Sequence, residues 1–443
     1  MRTGNDDDRM FEFGDFTLSP KERLLLHAGE PLILTAKAFD LLVALVRRSG
    51  HLVSKDELLR EVWPDTFVQE VNLTVNISAL RKALRRGRAG QELIQTVSAH
   101  GYRFVAPVVA RNATVTHQIG RVTTENADAY RAYLQGRHDW NRRSEEALKR
   151  AAERFQYAIA LDPNFAAAYS GLADCYATMG SLSYLAPTDA FPVARRHAIR
   201  ALELDPSLAE AHASLGFVEL YFDWNWSAAD TEFQRSIALN PGYPPTHQWY
   251  GIYLMAAARP RDALAEMQRA RQRDPLSLPI NTDIGFCRYY AGQYEEAVKQ
   301  LQFVLEINSD FPPAHLWLGR TYQELGQYDQ AIAAFRHVED RLPEWPVPSA
   351  ARGFVEAIAG RTAEARVTLQ KLKMLSERKF VTSYGLALVH ASLGDTDGAF
   401  GWLDRAFAER SHWLIWLRLD PRWKTLRFDP RFNECMSRVG YPA

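Results

Sequence analysis

Positions 312–343 read PPAHLWLGRTYQELGQYDQAIAAFRHVEDRLP, and this stretch decides the fold of most of the chain. Its apolar residues recur with helical spacing on both sides of Gly326, which marks a turn. Gly319 lies in the first predicted helix. Pro343 closes the second, because proline disfavours helical geometry in the residue before it. The stretch therefore predicts a pair of antiparallel helices.

Two markers repeat this unit along the chain with a period near 34 residues. A helix pair cannot bury its apolar faces alone, so repeated pairs stack into a superhelix. We expect each marker glycine to lie where the first helix meets its neighbour, since a side chain there would hold the backbones apart. The glycines are Gly136, Gly171, Gly216, Gly251, Gly285, Gly319 and Gly353. The second marker, which ends the second helix, is found at Asp162-Pro163, Asp205-Pro206, Asn240-Pro241, Asp274-Pro275, Asn308 and Leu342-Pro343.

This pattern resembles the tetratricopeptide repeat, and the resemblance covers residues 125–410. It implies an all-α solenoid. The spacing from Gly171 to Gly216 is 45 residues, and we assign the excess to a lengthened turn around residues 181–188. A last repeat, around Gly385, is degenerate. Residues 411–443 are predicted to cover the last apolar face of the solenoid as a cap. The large side chains of this cap are Trp413, Trp416, Trp423 and Phe428.

Residues 10–107 show a different pattern, in which strand and helix signals alternate. Short alternating runs of apolar and polar residues predict strands at the start. Thr35 can cap the first helix. Ser54, with Glu57 three residues later, is a capping-box signature for a second, short helix that Pro64 stops. This part of the chain is therefore predicted to be a separate α+β domain.

A longer helix is predicted at residues 70–86, with one apolar face and one small, polar face that becomes basic towards its end. Short side chains let a helix approach base edges in the major groove of DNA, while cations meet phosphate. The net charge of the whole chain is zero, so positive charge is concentrated locally here. The apolar stripe is Leu73, Ile77, Leu80 and Leu84. The opposite face carries Asn72, Val75, Ser78, Ala79, Lys82 and Arg85. The basic cluster is Arg81, Lys82, Arg85, Arg86 and Arg88.

Two further segments complete the N-terminal part. A hairpin is predicted at residues 93–106, and its side chains His100, Tyr102 and Arg103 can form a wing that reaches the adjacent DNA backbone or minor groove. Residues 108–124 lack a clear helical period, and we interpret them as a linker.

The order of strands, three helices and terminal hairpin resembles the DNA-binding domain of the OmpR/PhoB class of regulators. The motifs that carry the resemblance are LTAKAFDLLVAL (34–45), SKDELLREVWPD (54–65), NLTVNISALRKAL (72–84) and TVSAHGYRF (96–104). The resemblance implies a winged helix-turn-helix in which residues 70–86 are the recognition helix. It implies DNA contacts from Thr74, Asn76, Ser78, Ala79 and Arg81, with Trp63 near the backbone. For Trp63 we favour packing over base reading.

The chain departs from this class in ways that limit the resemblance. Ser78 and Ala79 stand at positions that are often basic, and Ser98 stands where the wing has an arginine, so the operator sequence does not carry over. Only about ten residues precede the domain, and we expect no receiver domain there. The arrangement resembles one-component regulators related to CadC and ToxR, which typically continue into a membrane span. No such span is predicted in the linker here.

The remaining sequence signals bear on other classes of function. Cys175, Cys287 and Cys435 lie far apart and build neither a disulfide framework nor a zinc site, which fits a reducing interior. We find no signal peptide and no membrane segment, so we expect a cytoplasmic protein without a membrane partner. The chain carries no phosphate-loop, nucleophile-elbow or metalloprotease motif. We therefore expect no enzyme activity, no metal and no cofactor.

The solenoid offers a second candidate site. The residue after each repeat glycine is often large and apolar, and in tetratricopeptide proteins this helix tends to line the concave surface. These side chains would then form a peptide groove. The other interpretation is that they pack between repeats, and the sequence leaves both open. The residues are Leu172, Phe217, Ile252, Phe286, Arg320 and Phe354.

Together these features predict a bacterial transcriptional regulator that binds double-stranded DNA, whose solenoid binds a protein or peptide or mediates self-association. We expect two copies on adjacent half-sites, because one small domain buries limited DNA surface. RNA polymerase is a further candidate partner. The alternative is a scaffold protein whose winged helix contacts protein, and a third class is an enzyme with its site in the solenoid groove. A steep loss of affinity with ionic strength distinguishes DNA binding from the scaffold.

Overall fold

The computed structural model describes residues 9–20, 24–27, 30–32, 34–63, 70–84, 93–98, 100–112 and 124–442. They form two units, one ending at Glu125 and one beginning at Asn126. The first combines strands with helices and the second is helical, as the sequence predicts. None of the helices in these ranges combines the length and the apolar character that a bilayer crossing requires.

The helices of the N-terminal unit begin where the capping signals predict. The Thr35 side chain accepts the backbone N–H of Ala38 at the start of the first helix. Ser54 and Glu57 form a complete capping box at the start of the second helix. The described elements are β1 (Arg9–Phe13), β2 (Phe16–Ser19), β3 (Leu24–His27), β4 (Glu30–Pro31), α1 (Ala36–Arg47), β5 (Leu52–Ser54), α2 (Lys55–Val62), α3 (Glu70–Leu84), β6 (Ile94–Val97), β7 (Gly101–Phe104) and β8 (Val109–Asn112).

The strands form two antiparallel sheets. The larger has the order β4-β3-β2-β1-β8, with Phe11 opposite Leu18 on one side and Ala110 on the other. Strand β8 corrects the prediction of a linker over residues 108–124, because four of those residues pair with β1. A strand of four residues is too short to show a clear alternation of apolar and polar side chains. The smaller sheet has the order β5-β7-β6. The sequence pattern did not predict the three-residue strand β5.

Aromatic side chains join the two sheets and the first helix in one core. The ring of Phe13 meets that of Phe104 edge to face, with centroids 5.0 Å apart, and stacks on Phe16 at 5.4 Å. Leu41 and Leu45 of α1 are completely buried. Helix α1 thus forms the base on which α2 and α3 pack.

The C-terminal unit stacks helix pairs in the predicted order. A Cβ added to Gly171 would lie 2.5 Å from the Phe155 ring, and one added to Gly319 would lie 2.6 Å from Phe335. The predicted reason for these glycines is confirmed, and the neighbour that needs the space is an apolar side chain of the adjoining helix. The helices are α4 (Ala127–Trp140), α5 (Glu145–Leu161), α6 (Ala166–Ser181), α7 (Pro187–Leu204), α8 (Ala209–Val218, continued by a π turn at Glu219–Asp223), α9 (Trp226–Leu239), α10 (Pro244–Ala256), α11 (Pro260–Arg273), α12 (Leu278–Tyr290), α13 (Tyr294–Ile307), α14 (Pro312–Glu324), α15 (Tyr328–Arg341), α16 (Pro346–Ile358), α17 (Thr362–Ser376), α18 (Ser383–Ser392) and α19 (Thr396–Ala408).

The second sequence marker also acts as predicted. Asp162, Asp205 and Asn240 are the C-terminal caps of α5, α7 and α9. The Asp162 carboxylate accepts the backbone N–H of Asn164 at 3.0 Å, which turns the chain towards the next helix. An acidic or amide side chain before proline therefore both ends a helix and shapes the turn.

The long spacing between Gly171 and Gly216 has a different origin from the one predicted. Helices α6 and α7 contain 16 and 18 residues, whereas α12 and α13 contain 13 and 14. The segment between α6 and α7 is confined to residues 182–186. A lengthened turn accounts for only part of the excess, and longer helices account for most of it.

The stacked pairs wind far enough for distant repeats to touch. The Trp345 indole N–H donates to the carbonyl of Leu182 at 2.7 Å. The Lys379 ammonium lies 2.7 Å from a carboxylate oxygen of Glu145, although 234 residues separate them in sequence. The superhelix therefore surrounds a central space.

The C-terminal segment enters this central space. It forms 3-10 turns at His412–Trp416 and Pro421–Trp423 and a last helix, α20 (Pro430–Val439). The Trp416 ring stacks on Tyr290 of α12 with centroids 4.5 Å apart, and Trp226 of α9 donates its indole N–H to the Val439 carbonyl at 3.2 Å. The segment was predicted to cover the last repeat, but it extends well beyond it to α9 and α12.

The four large side chains predicted in this segment do not all share one role. Trp413, Trp416 and Trp423 are buried, whereas Phe428 is 94% exposed. The prediction that Phe428 belongs to a covered apolar face is therefore wrong, because its side chain points into solvent in the turn before α20.

Candidate functional site

The N-terminal unit presents one face of α3 outwards. The predicted apolar stripe is buried against the core, namely Leu73, Ile77, Leu80 and Leu84. On the opposite face Thr74, Ser78 and Lys82 are exposed at successive intervals of four residues. They are flanked by half-buried side chains, namely Asn72, Val75, Ala79 and Arg81. The outward face thus carries short polar side chains beside the exposed Val71, and it ends in a cation.

The N-terminal end of α3 is tied to α2 by an ion pair. The Lys55 ammonium lies 2.6 Å from a carboxylate oxygen of Glu70 in the first turn of α3. This hydrogen bond and the negative charge of Glu70 raise the pKa of Lys55. An acidic residue in the first turn also suits the positive end of the helix dipole. The pair therefore links the start of α3 to α2 at the surface, where an ion pair contributes little to stability.

The C-terminal end of α2 explains Trp63. Its backbone N–H donates to the Leu59 carbonyl as the cap of α2, and its side chain is half-buried. The Lys37 ammonium lies 5.7 Å from the centre of the Trp63 ring and donates a hydrogen bond to the carbonyl of Val62. These contacts support the packing role that we favoured for Trp63.

Arg81 joins α3 to the hairpin. Its Nε and one terminal nitrogen donate to the Ile94 carbonyl at 3.0 and 2.8 Å, and the same terminal nitrogen donates to the Thr96 hydroxyl at 2.6 Å. A planar guanidinium makes such a forked contact, and a lysine ammonium cannot. Arg81 therefore braces the last turn of α3 against β6, and most of its donors on this side are already engaged.

The β6–β7 hairpin places two of the predicted wing residues. His100 is exposed in the turn, and its backbone carbonyl accepts the N–H of Lys55 at 3.2 Å. Arg103 is half-buried, and its Nε has no hydrogen-bond partner within the described part of the chain. Gly101 is required where β7 passes β5, because an added Cβ would lie 2.0 Å from the Val53 carbonyl oxygen.

Two predicted DNA-contact residues are buried. Asn76 is 5% exposed and donates its side-chain N–H to the Asn72 carbonyl at 2.8 Å. Tyr102 is 4% exposed and lies in β7 opposite Val53. A buried side chain cannot reach a duplex without local opening, so we correct both assignments to packing roles. Arg85, Arg86 and Arg88 lie outside the described residues.

The six residues predicted to line a peptide groove are all buried, namely Leu172, Phe217, Ile252, Phe286, Arg320 and Phe354. Phe286 meets the Trp416 ring edge to face at 4.7 Å, and the Arg320 guanidinium lies between the rings of Trp317 and Trp413 at 4.5 and 4.6 Å. Around Phe286 and Arg320, then, the chain's own C-terminal segment covers the place assigned to a peptide. Of the two interpretations that the sequence leaves open, packing accounts for these buried side chains. The sequence gives no sign that the tail folds back here.

Comparisons with known proteins agree with this division into two parts. Residues 29–104 match the family described as "Transcriptional regulatory protein, C terminal", and residues 289–352 match the family described as "Tetratricopeptide repeat".

Several relatives of this chain are transcriptional regulators. The chain is 20% identical to the transcriptional regulator HilA of Salmonella typhimurium, over 66% of this chain and 75% of HilA. It is 36% identical to the transcriptional regulatory protein AruR of Pseudomonas aeruginosa, over 21% of this chain and 40% of AruR. The solved DNA-binding domain of E. coli CadC is 31% identical, covers 23% of this chain and 97% of that domain, and has a TM-score of 0.22.

The N-terminal unit is therefore the winged helix-turn-helix domain of a transcriptional regulatory protein, joined to a helical repeat domain. More closely, the winged helix is of the OmpR/PhoB type and the repeats are tetratricopeptide repeats, as the sequence motifs predict.

Proposed function

We propose that this chain regulates transcription by placing α3 in the major groove of DNA, while the β6–β7 hairpin contacts the adjacent backbone. The observation that carries the proposal is the outward face of α3. Thr74 and Ser78 are short enough for close approach to base edges, and Lys82 follows at the end that meets phosphate. The similarity to transcriptional regulators supports the same conclusion.

The contacts of α3 suit this role because they hold the helix at both ends. The exposed pair between Lys55 and Glu70 contacts its beginning, and the fork from Arg81 to the Ile94 carbonyl braces its end. A helix held in this way pays little ordering cost when it binds. We further propose that two copies bind adjacent half-sites, because one such domain buries limited DNA surface. A protein partner, RNA polymerase among the candidates, would then bind the repeat domain outside its filled centre, in the cytoplasm.

Replacing Lys82 by alanine is expected to weaken binding of the full-length chain to all DNA sequences alike, because a phosphate contact carries no base information. The plot of log affinity against log salt has a negative slope, and its magnitude should decrease by about 1. Electrophoretic mobility shifts over a salt series measure both. Lys299→Ala, which removes an equally exposed lysine from α13, is the matched control and should change neither. Unchanged affinity and slope for Lys82→Ala would contradict the proposed docking. If the affinity of the wild type did not depend on salt concentration, the scaffold that contacts protein would be favoured instead.

Replacing Arg81 by lysine tests whether this residue acts through its charge or through its shape. Lysine keeps the charge but cannot fork onto the Ile94 carbonyl and the Thr96 hydroxyl. We expect Arg81→Lys to weaken DNA binding nearly as much as Arg81→Ala, measured by the same mobility shifts. Thr96→Val, which removes only the hydroxyl acceptor, should shift the affinity in the same direction by a smaller amount. Full affinity in Arg81→Lys would show that charge alone matters.

A further inference from the structure

The central space of the repeat domain contains a cavity of about 120 Å³. Its walls come from α6, α8, α10, α12 and α14 and from the C-terminal segment. Aromatic side chains form a large part of the wall, with Trp249, Trp317, Trp345, Trp413 and Trp416 among them. A small number of polar groups also lie in the wall, which is the composition typical of small-molecule sites.

Arg143 is the cation of this cavity. It follows α4 in the left-handed backbone region, with φ of 58°, which is uncommon for a residue other than glycine. Its guanidinium lies 3.7 Å from the centre of the Trp140 ring, and one terminal nitrogen donates to the Thr178 hydroxyl at 2.9 Å. The Arg143 guanidinium has five N–H donors, and within the described part of the chain the Thr178 hydroxyl is the one acceptor that they contact. The side chain is therefore held in place but mostly unsatisfied.

Asp283 of α12 is the anion of the same cavity. One of its carboxylate oxygens accepts the side-chain N–H of Gln248 at 2.6 Å. Among the described residues no ion pair within 4.0 Å joins Asp283 to Arg143, although each influences the charge of the other. Burial lowers the pKa of Arg143 to about 10 and raises the pKa of Asp283 to about 6. The cavity thus separates two opposite charges that do not neutralise each other directly.

Two further polar side chains in the wall lack partners. Thr282 and His412 are each 2% exposed, and neither the Thr282 hydroxyl nor the two ring nitrogens of His412 has a hydrogen-bond partner among the described residues. Burial lowers the pKa of His412 to about 3, so its ring is neutral and offers one donor and one acceptor. Buried polar groups are nearly always hydrogen-bonded, so unpaired ones at a cavity indicate a missing partner.

We propose that this cavity binds a small zwitterion of amino-acid size, with its carboxylate on Arg143 and its ammonium on Asp283. A molecule with both charges satisfies both side chains, whereas an ion of one sign leaves the other unpaired. The volume limits the ligand to a small molecule. A cavity of about 150 Å³ holds a single benzene ring, and this cavity is somewhat smaller. Because His412 belongs to the C-terminal segment, such a ligand would link this segment to the repeats.

The test uses the purified full-length chain and the twenty standard amino acids as probes. Five tryptophans line the cavity, so binding should change the intrinsic fluorescence and raise the melting temperature. We expect at least one small amino acid to bind, and its amine-free and carboxylate-free analogues to bind at least about 30-fold more weakly. If none of the twenty changes fluorescence or melting at millimolar concentration, the proposal is overturned.

A pair of isosteric variants separates this site from adventitious binding. Asp283→Asn keeps an acceptor for Gln248 but loses the charge, and we expect it to weaken binding of the amino acid about 30-fold or more. Asp404→Asn, which alters an exposed carboxylate of α19, should leave binding unchanged. Equal affinity for the amine-free analogue, together with full affinity in Asp283→Asn, would exclude a zwitterion. The melting temperature of each variant without ligand reports whether it is folded.

Discussion

Replacing Asp420 by alanine is expected to lower the free energy of unfolding of the repeat domain by about 3–5 kcal/mol, because it strands a buried cation. Both oxygens of the Asp420 carboxylate accept hydrogen bonds from the Arg422 guanidinium, at 2.8 and 2.6 Å, and one also accepts from the Tyr384 hydroxyl at 2.8 Å. Asp420 and Arg422 are both buried. Urea or thermal unfolding of the full chain, followed by circular dichroism, measures the loss.

The chain contains its own control for this prediction. The sequence Asp-Pro-Arg occurs at residues 420–422 and again at residues 429–431, and in each copy the aspartate caps the following turn and pairs with the arginine. The second pair lies at the surface, where ion pairs contribute little. Asp429→Ala should therefore destabilise the domain far less than Asp420→Ala. Equal losses from the two variants would mean that the buried pair contributes nothing beyond a helix cap.

Acid should remove the stability that the buried pair contributes, because Asp420 has a lower pKa in the folded state than in the unfolded state. Burial alone would raise the pKa of Asp420, but the charge and hydrogen bonds of Arg422 outweigh it and hold the pKa below its ordinary value. The folded state therefore binds this proton less readily than the unfolded state does. The resulting stability is present above the ordinary aspartate pKa of about 4 and is lost as the pH falls below it.

The elements that depend on local chemistry could be predicted from the sequence. The capping box at Ser54 and the glycines of the helix pairs each act through neighbours that are close in sequence or fixed by the repeat. The apolar stripe of α3 has the helical period, so its burial was predictable as well. Periodic patterns reveal which face is inside because the core selects apolar residues at that period.

Long-range placements could not be predicted in the same way. The strand β8 pairs with β1, about 100 residues earlier in the chain, and its pairing leaves no local signal. Asn76 lies one position from the buried Ile77, and periodicity did not show that its amide would turn inwards to the Asn72 carbonyl. The position of the C-terminal segment was the hardest feature to predict. Tryptophans in a tail indicate burial, but they do not indicate which surface buries them.

The position of the C-terminal segment bears on the function of the repeats. A tetratricopeptide superhelix with an empty centre offers its concave surface to a peptide, whereas here His412, Trp413 and Trp416 line a cavity that is too small for one. The unpaired polar groups of the centre then point to a small ligand. Sequence similarity to regulators supports the function of the winged helix. For the repeats, only side-chain contacts distinguish binding of a peptide from binding of a small ligand.

Replacing Trp416 by alanine is expected to cost about 3–5 kcal/mol of stability, which is the range for removing a large aromatic side chain from a core. Trp416 is 1% exposed, stacks on Tyr290 and meets Phe286 edge to face, so it fastens the C-terminal segment to α12. Besides lower stability in unfolding experiments, we expect faster proteolysis within residues 412–441, since the segment loses its ring contacts with Tyr290 and Phe286.

Phe428→Ala is the matched control, because it removes an aromatic side chain of the same segment that is 94% exposed. Surface substitutions of this kind usually change stability by less than about 0.5 kcal/mol. If Trp416→Ala were as stable and as resistant to protease as Phe428→Ala, the segment would not be anchored in the centre of the superhelix. The concave surface would then be open, and the peptide groove predicted from Phe217, Ile252 and Phe286 would again be the better account of what the repeats do.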